Sequence, residues 1–483
     1  MRATPLFDRV FLLLAVVGVA IRLVALHLAG ELEPVLDEAA YLYHAACWEH
    51  FGFYTDSGRW LWPPGYPYFL KLALASFGVD GIGVAKLIQV LASGIVGYGT
   101  MLLAGMVFCR RAGFVAGGLW CVYLPMIGFT HYLWPETLFL ACFVPALCLL
   151  CRWSEEAPDP GSARWLLPAG LLLGLAALFK EQVAYLPLLL LALVLRRHRG
   201  TMREGVRAAS LFALAVTVVL FPWTLRNHEV YGTVTPVAAS LGSNSWVGIS
   251  ARYRNFDYPV SFLAPGKNGY AEIYDEGDWR YSTFIERPEE AEWGWVGHRR
   301  PDQWSRNVVE LSHVETLRAL NHARLYPGVF LAGRVKQLSN WVSPTSFFVR
   351  HLGMERYPGL AKHPIARRLL LCGALLLSML VLASAVPGAV TALRGPPARA
   401  ILLLPLIYAL GTALLVGMSR HRMAIEPVLI VLAAGFLSRL RIGDLPGRER
   451  RAVFLGWGFL LFLWYLAAPE VTAAARSIWG GPA

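Results

Sequence analysis

About eleven apolar runs, each reaching or approaching the roughly 20 residues that a helix needs to cross the hydrocarbon core of a bilayer, leave this chain few folds to adopt. They are Val10 to Ala29, Ile82 to Phe108, Phe114 to Phe129, Thr137 to Leu150, Trp165 to Phe179, Val183 to Leu195, Ala208 to Trp223, Arg368 to Val390, Ala400 to Gly417, Ile425 to Leu437 and Val453 to Ala467. With 56% of 483 residues hydrophobic and only 16% charged, too little polar sequence remains for a large soluble domain. The expected fold is an all-α polytopic membrane protein, whose chemistry has to sit on loops and helix ends. The first run is too long for a signal-peptide core and no A-x-A-like cleavage site follows it, so it reads as a span.

A net charge of +12 would suggest nucleic acid in a soluble protein, but here the excess is arginine in short loops between apolar runs. With the N-terminus inside, Arg2 and Arg9, Arg110 and Arg111, Arg152 and Arg164, the group Arg196 to Arg207, Arg394 and Arg399, and Arg439 to Arg451 all fall on the same side. That is the cytoplasmic bias of short loops and gives no reason to expect a nucleic-acid partner. Two long segments then face outward: residues 30–81, and Leu225 to about Ala366. The chain divides accordingly into an N-terminal membrane module (1–224), an outer segment (225–366) and C-terminal spans (367–483). In the outer segment, Trp304, Val308, Leu311, Val314 and Leu317 recur at helical spacing, and Val329 to Phe348 mixes aromatic, apolar and basic residues as a helix on the membrane surface would. The seven cysteines form no regular framework, and the C-x-x-C of Cys148 and Cys151 lacks the βαβ context of a redox motif.

The candidate chemistry lies on the outward side. After Pro34, Asp37 and Glu38 stand side by side at the membrane border; on a helix Asp37, Tyr41, His44 and Trp48 share one face while Glu38 points about 100° away. The competing reading is a first turn that complements the helix dipole. Trp62, Pro63, Pro64, Gly65, Tyr66 and Pro67 read as a rigid interfacial turn rather than regular helix. Trp134, Pro135 and Glu136 place a carboxylate at the first turn of a membrane helix, where ionisable groups are functional candidates. Lys180 and Glu181 read as a local pair. Arg226 and Asn227 follow the seventh span, then a Gly- and Ser-rich stretch containing Asn244. Arg420 and Arg422 stand outside against the charge trend, as anion binders would, unless they merely pair with Glu426. Asp275, Glu276 and Asp278 fit no complete calcium loop, and no Walker A or dinucleotide motif is present. No cofactor is indicated, and a divalent metal has no support.

Asp37 and Glu38 with Tyr41 and Ala45, the Pro-Pro-Gly-Tyr-Pro turn, Glu136, Pro222-Trp223 with Arg226-Asn227, the Gly242 to Gly248 stretch, and Arg420 to Pro427 occur in this order along most of the chain. In this the sequence resembles the polytopic glycosyltransferases of the GT-C fold, specifically bacterial family 39-like proteins related to protein O-mannosyltransferases and to the lipid A aminoarabinose transferase. The resemblance implies a GT-C-type bundle with outward loops and amphipathic interface helices in the cytoplasmic membrane. It also implies inverting transfer of a sugar from a polyprenyl-phosphate donor to a lipid, glycan or protein acceptor on the outer face. Asp37 matches the catalytic position, with Glu38 and Glu136 as further acids; Lys180, Arg226, Arg420 and Arg422 are candidate phosphate binders. Tyr41, His44, Trp62, Tyr66, Asn227 and Asn244 are candidate positioning residues. In one departure, Trp62 stands where the aminoarabinose transferase carries a lysine for the lipid phosphate. Two alternatives remain. An O-antigen-type ligase or polymerase would use a pyrophosphate-linked glycan. A transporter would show inverted repeats and charges near mid-span; Arg22 is the clearest such charge, and no repeat is found.

Overall fold

The computed structural model describes residues 8–34, 37–54, 61–156, 162–197, 201–238, 244–245, 312, 316–317, 319–321, 323–353, 356–393, 397–439 and 442–479. The expected helix over Trp304 to Leu317 and the acidic turn at Asp275 lie almost wholly outside them. Among the described residues every regular element is helical.

The N-terminal half contains α1 (Arg9–Ala29), α2 (Asp37–Phe51), α3 (Gly65–Phe77), α4 (Gly81–Val107), α5 (Arg110–Val122), α6 (Leu124–Phe129), α7 (Glu136–Glu155), α8 (Leu166–Phe179), α9 (Leu186–Arg197) and α10 (Met202–Tyr231). The rest comprises α11 (Pro327–Val342), α12 (Phe347–Gly353), α13 (Pro364–Ala392), α14 (Pro397–Leu415), α15 (Ser419–Arg422), α16 (Glu426–Arg439) and α17 (Gly447–Trp479). Eight stretches are long and apolar enough to cross a membrane; α3 with α4 forms one, and α15 with α16 another. All the expected runs are helical, but three fall short of that length. Phe114 to Phe129 breaks between α5 and α6, because Pro125 cannot donate to a continuing helix and its ring crowds the carbonyl a turn earlier. The other two are α8 and α9, of 14 and 12 residues.

Local chemistry sets several boundaries. Asp8 caps α1 by accepting from the N–H groups of Val10 and Phe11 and binds Arg110 at 2.8 Å, which with those backbone bonds holds its carboxyl below the usual range. Gly30 ends α1 at φ 75°, a conformation glycine adopts without a Cβ penalty. The Pro-rich turn is more helical than expected: α3 begins at Gly65 with Pro67 in its first turn, where the missing N–H would have had no intrahelical partner anyway. Helix α10 runs past residue 224 to Tyr231.

Helix α4 is central, packing on α1, α3, α5, α7 and α16, while α13 lies along α16. The outer faces of α1 and α17 expose Leu13, Val16, Leu455 and Leu461, as helices bathed in hydrocarbon do. Helix α11 has one face docked into the bundle against α14 and α17. Arg334 donates to the carbonyls of Leu414 and Leu415 at the end of α14 (2.6 and 2.9 Å), and Lys336 to that of Leu466 (2.9 Å). Arg334 thus caps carbonyls that the end of α14 leaves open, while Leu331 stays exposed.

Helices α13 and α16 approach so closely at Gly388 that a Cβ there would overlap the backbone of Leu432. A methyl group has nowhere to go between two backbones, so Gly388→Ala should cost roughly 1–3 kcal/mol or more. Thermal unfolding in detergent checks this; an unchanged midpoint would contradict the packing.

Candidate functional site

Ends of four elements meet around one arginine. Arg420, at the start of α15, donates through Nε to Glu136 Oε1 at 3.0 Å and through Nη1 to Asp37 Oδ2. Its guanidinium lies 4.0 Å from the centre of the Trp134 ring. From the end of α8, Lys180 Nζ reaches the same Glu136 oxygen at 2.7 Å. Two carboxylates and two cations make a cluster of balanced charge. Lys180 therefore pairs with Glu136, 44 positions away in sequence, rather than mainly with Glu181 as expected. Burial pushes the Lys180 amine down, against the pull of Glu136.

The carboxylates differ in access. Glu136 is 1% exposed and Asp37 34% on its side chain, so Asp37 is the acid that can meet a substrate. Glu38 is buried and accepts the Leu133 N–H at 2.8 Å. It ties the start of α2 to the loop leading into Glu136, which corrects its expected catalytic role to a positioning one. The sequence separates the two acids by about 100°, and the structure puts that angle to use: one faces the site while the other anchors its wall.

An aromatic wall adjoins the cluster. Tyr41 packs edge-on to Trp62 and Tyr66, with ring centres 4.9 and 5.1 Å apart. Tyr66 is fully buried and donates to Gln89 Oε1 at 2.7 Å, while Gln89 Nε2 donates to the carbonyl of Tyr132 at 2.8 Å. Tyr66 therefore supports the wall, a correction to its expected contact with substrate. Buried His44 stacks on Tyr54 at 5.7 Å and likewise backs the site.

Arg226 sits beside this wall in a cage of Tyr54, Trp223 and Tyr231, 4.9 to 5.6 Å from their ring centres. It donates to the Tyr54 carbonyl at 2.9 Å and pairs with no carboxylate among the described residues. Asn227 is fully buried and donates to the carbonyl of Thr235 at 2.9 Å, so it shapes the chain after α10 instead of facing a substrate. Arg422 requires the largest correction. Its side chain is 0% exposed, pairs with Glu426 at 2.7 Å, and donates to the carbonyls of Trp341 and Ser343 at 2.8 and 2.6 Å. It staples α15 to the end of α11 from a fully enclosed position. Asn244 lies 3.5 Å from Glu181; most of its Gly- and Ser-rich stretch lies outside the described residues.

Burial raises the Glu181 carboxyl to about 7, although Lys180 pulls the other way. The folded state holds this proton at pH values where the unfolded chain, near 4.5, has released it. The contribution of Glu181 to stability therefore falls as pH rises between those values. Glu181→Gln should flatten that slope in thermal unfolding measured across the interval, and an unaltered slope would contradict the assignment.

Trp134 and Gln89 were missed as site residues from sequence. Trp134 was visible in the motif before Glu136, whereas nothing in the pattern around Gln89 marked it. Among the described residues, no three His, Cys, Asp or Glu side chains come together as a metal site would require.

Residues 62–224 match the family described as dolichyl-phosphate-mannose-protein mannosyltransferase, so the match takes in the Pro-rich turn, Glu136 and Lys180. No match is found among curated protein sequences. Among solved structures, the archaeal oligosaccharyltransferase AglB from Archaeoglobus fulgidus, in complex with an inhibitory peptide and a dolichol-phosphate, superposes with a TM-score of 0.51 at 16% identity. The alignment covers 98% of this chain and 56% of that one, so this chain spans little more than half the length of AglB. ArnT from Cupriavidus metallidurans, bound to undecaprenyl phosphate, aligns over 88% of this chain and 77% of that chain, with 15% identity and a TM-score of 0.36. The likeness to AglB is one of fold.

Proposed function

From the premise that this is a polytopic membrane protein of the GT-C fold, related over residues 62–224 to glycosyltransferases, we propose that it transfers a sugar from a polyprenyl-phosphate donor to a lipid, glycan or protein acceptor, with inversion at the anomeric carbon. The site would open on the outer face of the cytoplasmic membrane, where the arginine-rich loops are not. Activated nucleotide sugars are cytosolic, so a site on that face needs its donor delivered on a lipid. The carrying observation is the unequal exposure of two carboxylates held by one arginine: Glu136 is enclosed and Asp37 is open.

In this reading Asp37 is the general base. Its carboxylate takes the proton of the acceptor nucleophile as that atom bonds to the anomeric carbon. The bond from that carbon to the phosphate oxygen breaks, and the electron pair leaves on the phosphate. Arg420 links the two events. While Asp37 is ionised, it and Glu136 share the arginine's charge; once Asp37 is protonated, the Nη1 side of Arg420 is released to face the phosphate as charge builds there. Stabilisation then appears where charge develops, as catalysis requires. Glu136 and Lys180 hold Arg420 in place throughout.

Ground-state phosphate binding falls to Arg226, because the charges of Lys180 and Arg420 are already matched by carboxylates. A charge-assisted contact of this kind is worth roughly 1.5–3 kcal/mol. Arg226→Ala should therefore weaken donor affinity by about 10- to 100-fold, measured by titrating a synthetic polyprenyl phosphate against the detergent-solubilised protein. Unchanged affinity would remove Arg226 from the phosphate site. Mass spectrometry of copurifying lipids tests the class of donor: a polyprenyl monophosphate bearing one sugar supports the proposal. A pyrophosphate-linked oligosaccharide would favour an oligosaccharide ligase or polymerase instead.

A further inference from the structure

Arg22 lies within the span α1, is 0% exposed, and has no part in the chemistry above. Its Nη1 donates to the Gly18 carbonyl at 3.0 Å and its Nη2 to the Trp120 carbonyl at 2.9 Å, with the guanidinium 3.8 Å from the centre of the Trp120 ring. Neither bond supplies a counter-charge, and no carboxylate among the described residues pairs with it. A buried cation inside a membrane helix is expensive and needs compensation.

A cavity of about 10 Å³ separates Arg22 from the site, with Arg22 and Glu136 both in its lining. Every residue lining it is buried. Three buried polar atoms of those residues lack a hydrogen-bond partner: Arg22 Nε and Trp120 Nε1, both donors, and Glu136 Oε2, an acceptor. Ser93, Thr130 and Thr137 also line it. Their hydroxyls donate to the carbonyls of Val90, Ile127 and Phe129, which leaves their lone pairs to accept. The volume suits one water, and the surroundings offer the two to four polar partners that a buried water needs.

We propose that this cavity binds one ordered water that accepts from Arg22 Nε and donates to Glu136 Oε2, making Arg22 a positioning residue for the buried carboxylate. The second hydrogen of the water goes to one of the lining hydroxyls. Glu136 is then held on one oxygen by Lys180 and Arg420 and on the other through the water, and the charge of Arg22 gains a carboxylate at one remove. This explains why a membrane helix carries an arginine here, and it leaves Glu136 no freedom to rotate away from Arg420.

Two methionines line the same cavity, Met126 and Met423, which allows a direct test. X-ray radiolysis makes hydroxyl radicals wherever water lies, and the thioether beside a bound water is oxidised to the sulfoxide. In the folded wild-type protein Met423, 1% exposed, should oxidise several times faster than Met101, 0% exposed and outside this cavity. Arg22→Lys, whose ammonium can still donate, should retain the fast oxidation, and Arg22→Leu should lose it. Oxidation of Met126 and Met423 no faster than that of Met101 overturns the water site, and so does fast oxidation that persists in Arg22→Leu. The wild-type comparison decides the matter even where Arg22→Leu does not fold. None of these readouts depends on sugar transfer, so failure of the water site and failure of the transferase proposal are separate results.

Discussion

Asp37→Asn should lower sugar transfer by roughly 10²- to 10⁴-fold, the usual contribution of a positioned general base, while the protein stays folded. The amide matches the carboxylate in shape but cannot take a proton. Arg420 keeps its bond to Glu136 in this variant, and the side chain replaced is a third exposed, so its loss disturbs packing little. Asp37→Glu should recover part of the rate, since it restores the base at a shifted position. Turnover rates of purified Asp37→Asn, compared with its thermal unfolding, separate chemistry from folding. Near wild-type turnover would remove Asp37 from the role of base.

Glu136→Leu should have the largest effect on stability. It leaves Lys180 and Arg420 buried around an apolar side chain; removing one partner of a buried charge cluster typically costs about 3–5 kcal/mol. Because Arg420 also loses the group that fixes its Nε edge, activity should fall with stability. Replacing Glu136 and Lys180 together, by Leu and Met, removes one charge of each sign and should restore part of the lost midpoint. Single and double variants followed by thermal unfolding check this. A double variant as unstable as Glu136→Leu alone would mean that charge imbalance is not the cause.

The spans and the acids were legible in the sequence because each depends on residues close together in the chain. Periodicity separated Asp37 from Glu38, and Pro135 with Glu136 marked the start of a helix. The partners of these acids were not legible: Arg420 meets Asp37 and Glu136 across 383 and 284 positions, and no local pattern records such a contact. Arg420 and Arg422 illustrate the limit. They looked equivalent in sequence, yet residues two apart on a helix diverge by about 200°, so one turns to the site and the other into the bundle against Glu426. Tyr66 and Asn227 were misjudged for a related reason. A polar tip beside a functional motif can serve the wall as readily as the substrate, and only burial tells which. The docking of α11 was not legible either, because Arg334 and Lys336 serve the carbonyls of neighbouring helices, a use that composition does not distinguish from headgroup binding.

The most direct test of the central claim is a mass balance on the lipid carrier. Purified protein reconstituted in liposomes with glycolipids extracted from its source membranes would be followed by mass spectrometry. The account predicts that wild-type protein releases polyprenyl monophosphate as a polyprenyl-phosphate sugar of one residue disappears, and that Asp37→Asn does not. Release of polyprenyl pyrophosphate, or equal release by the variant, would contradict it.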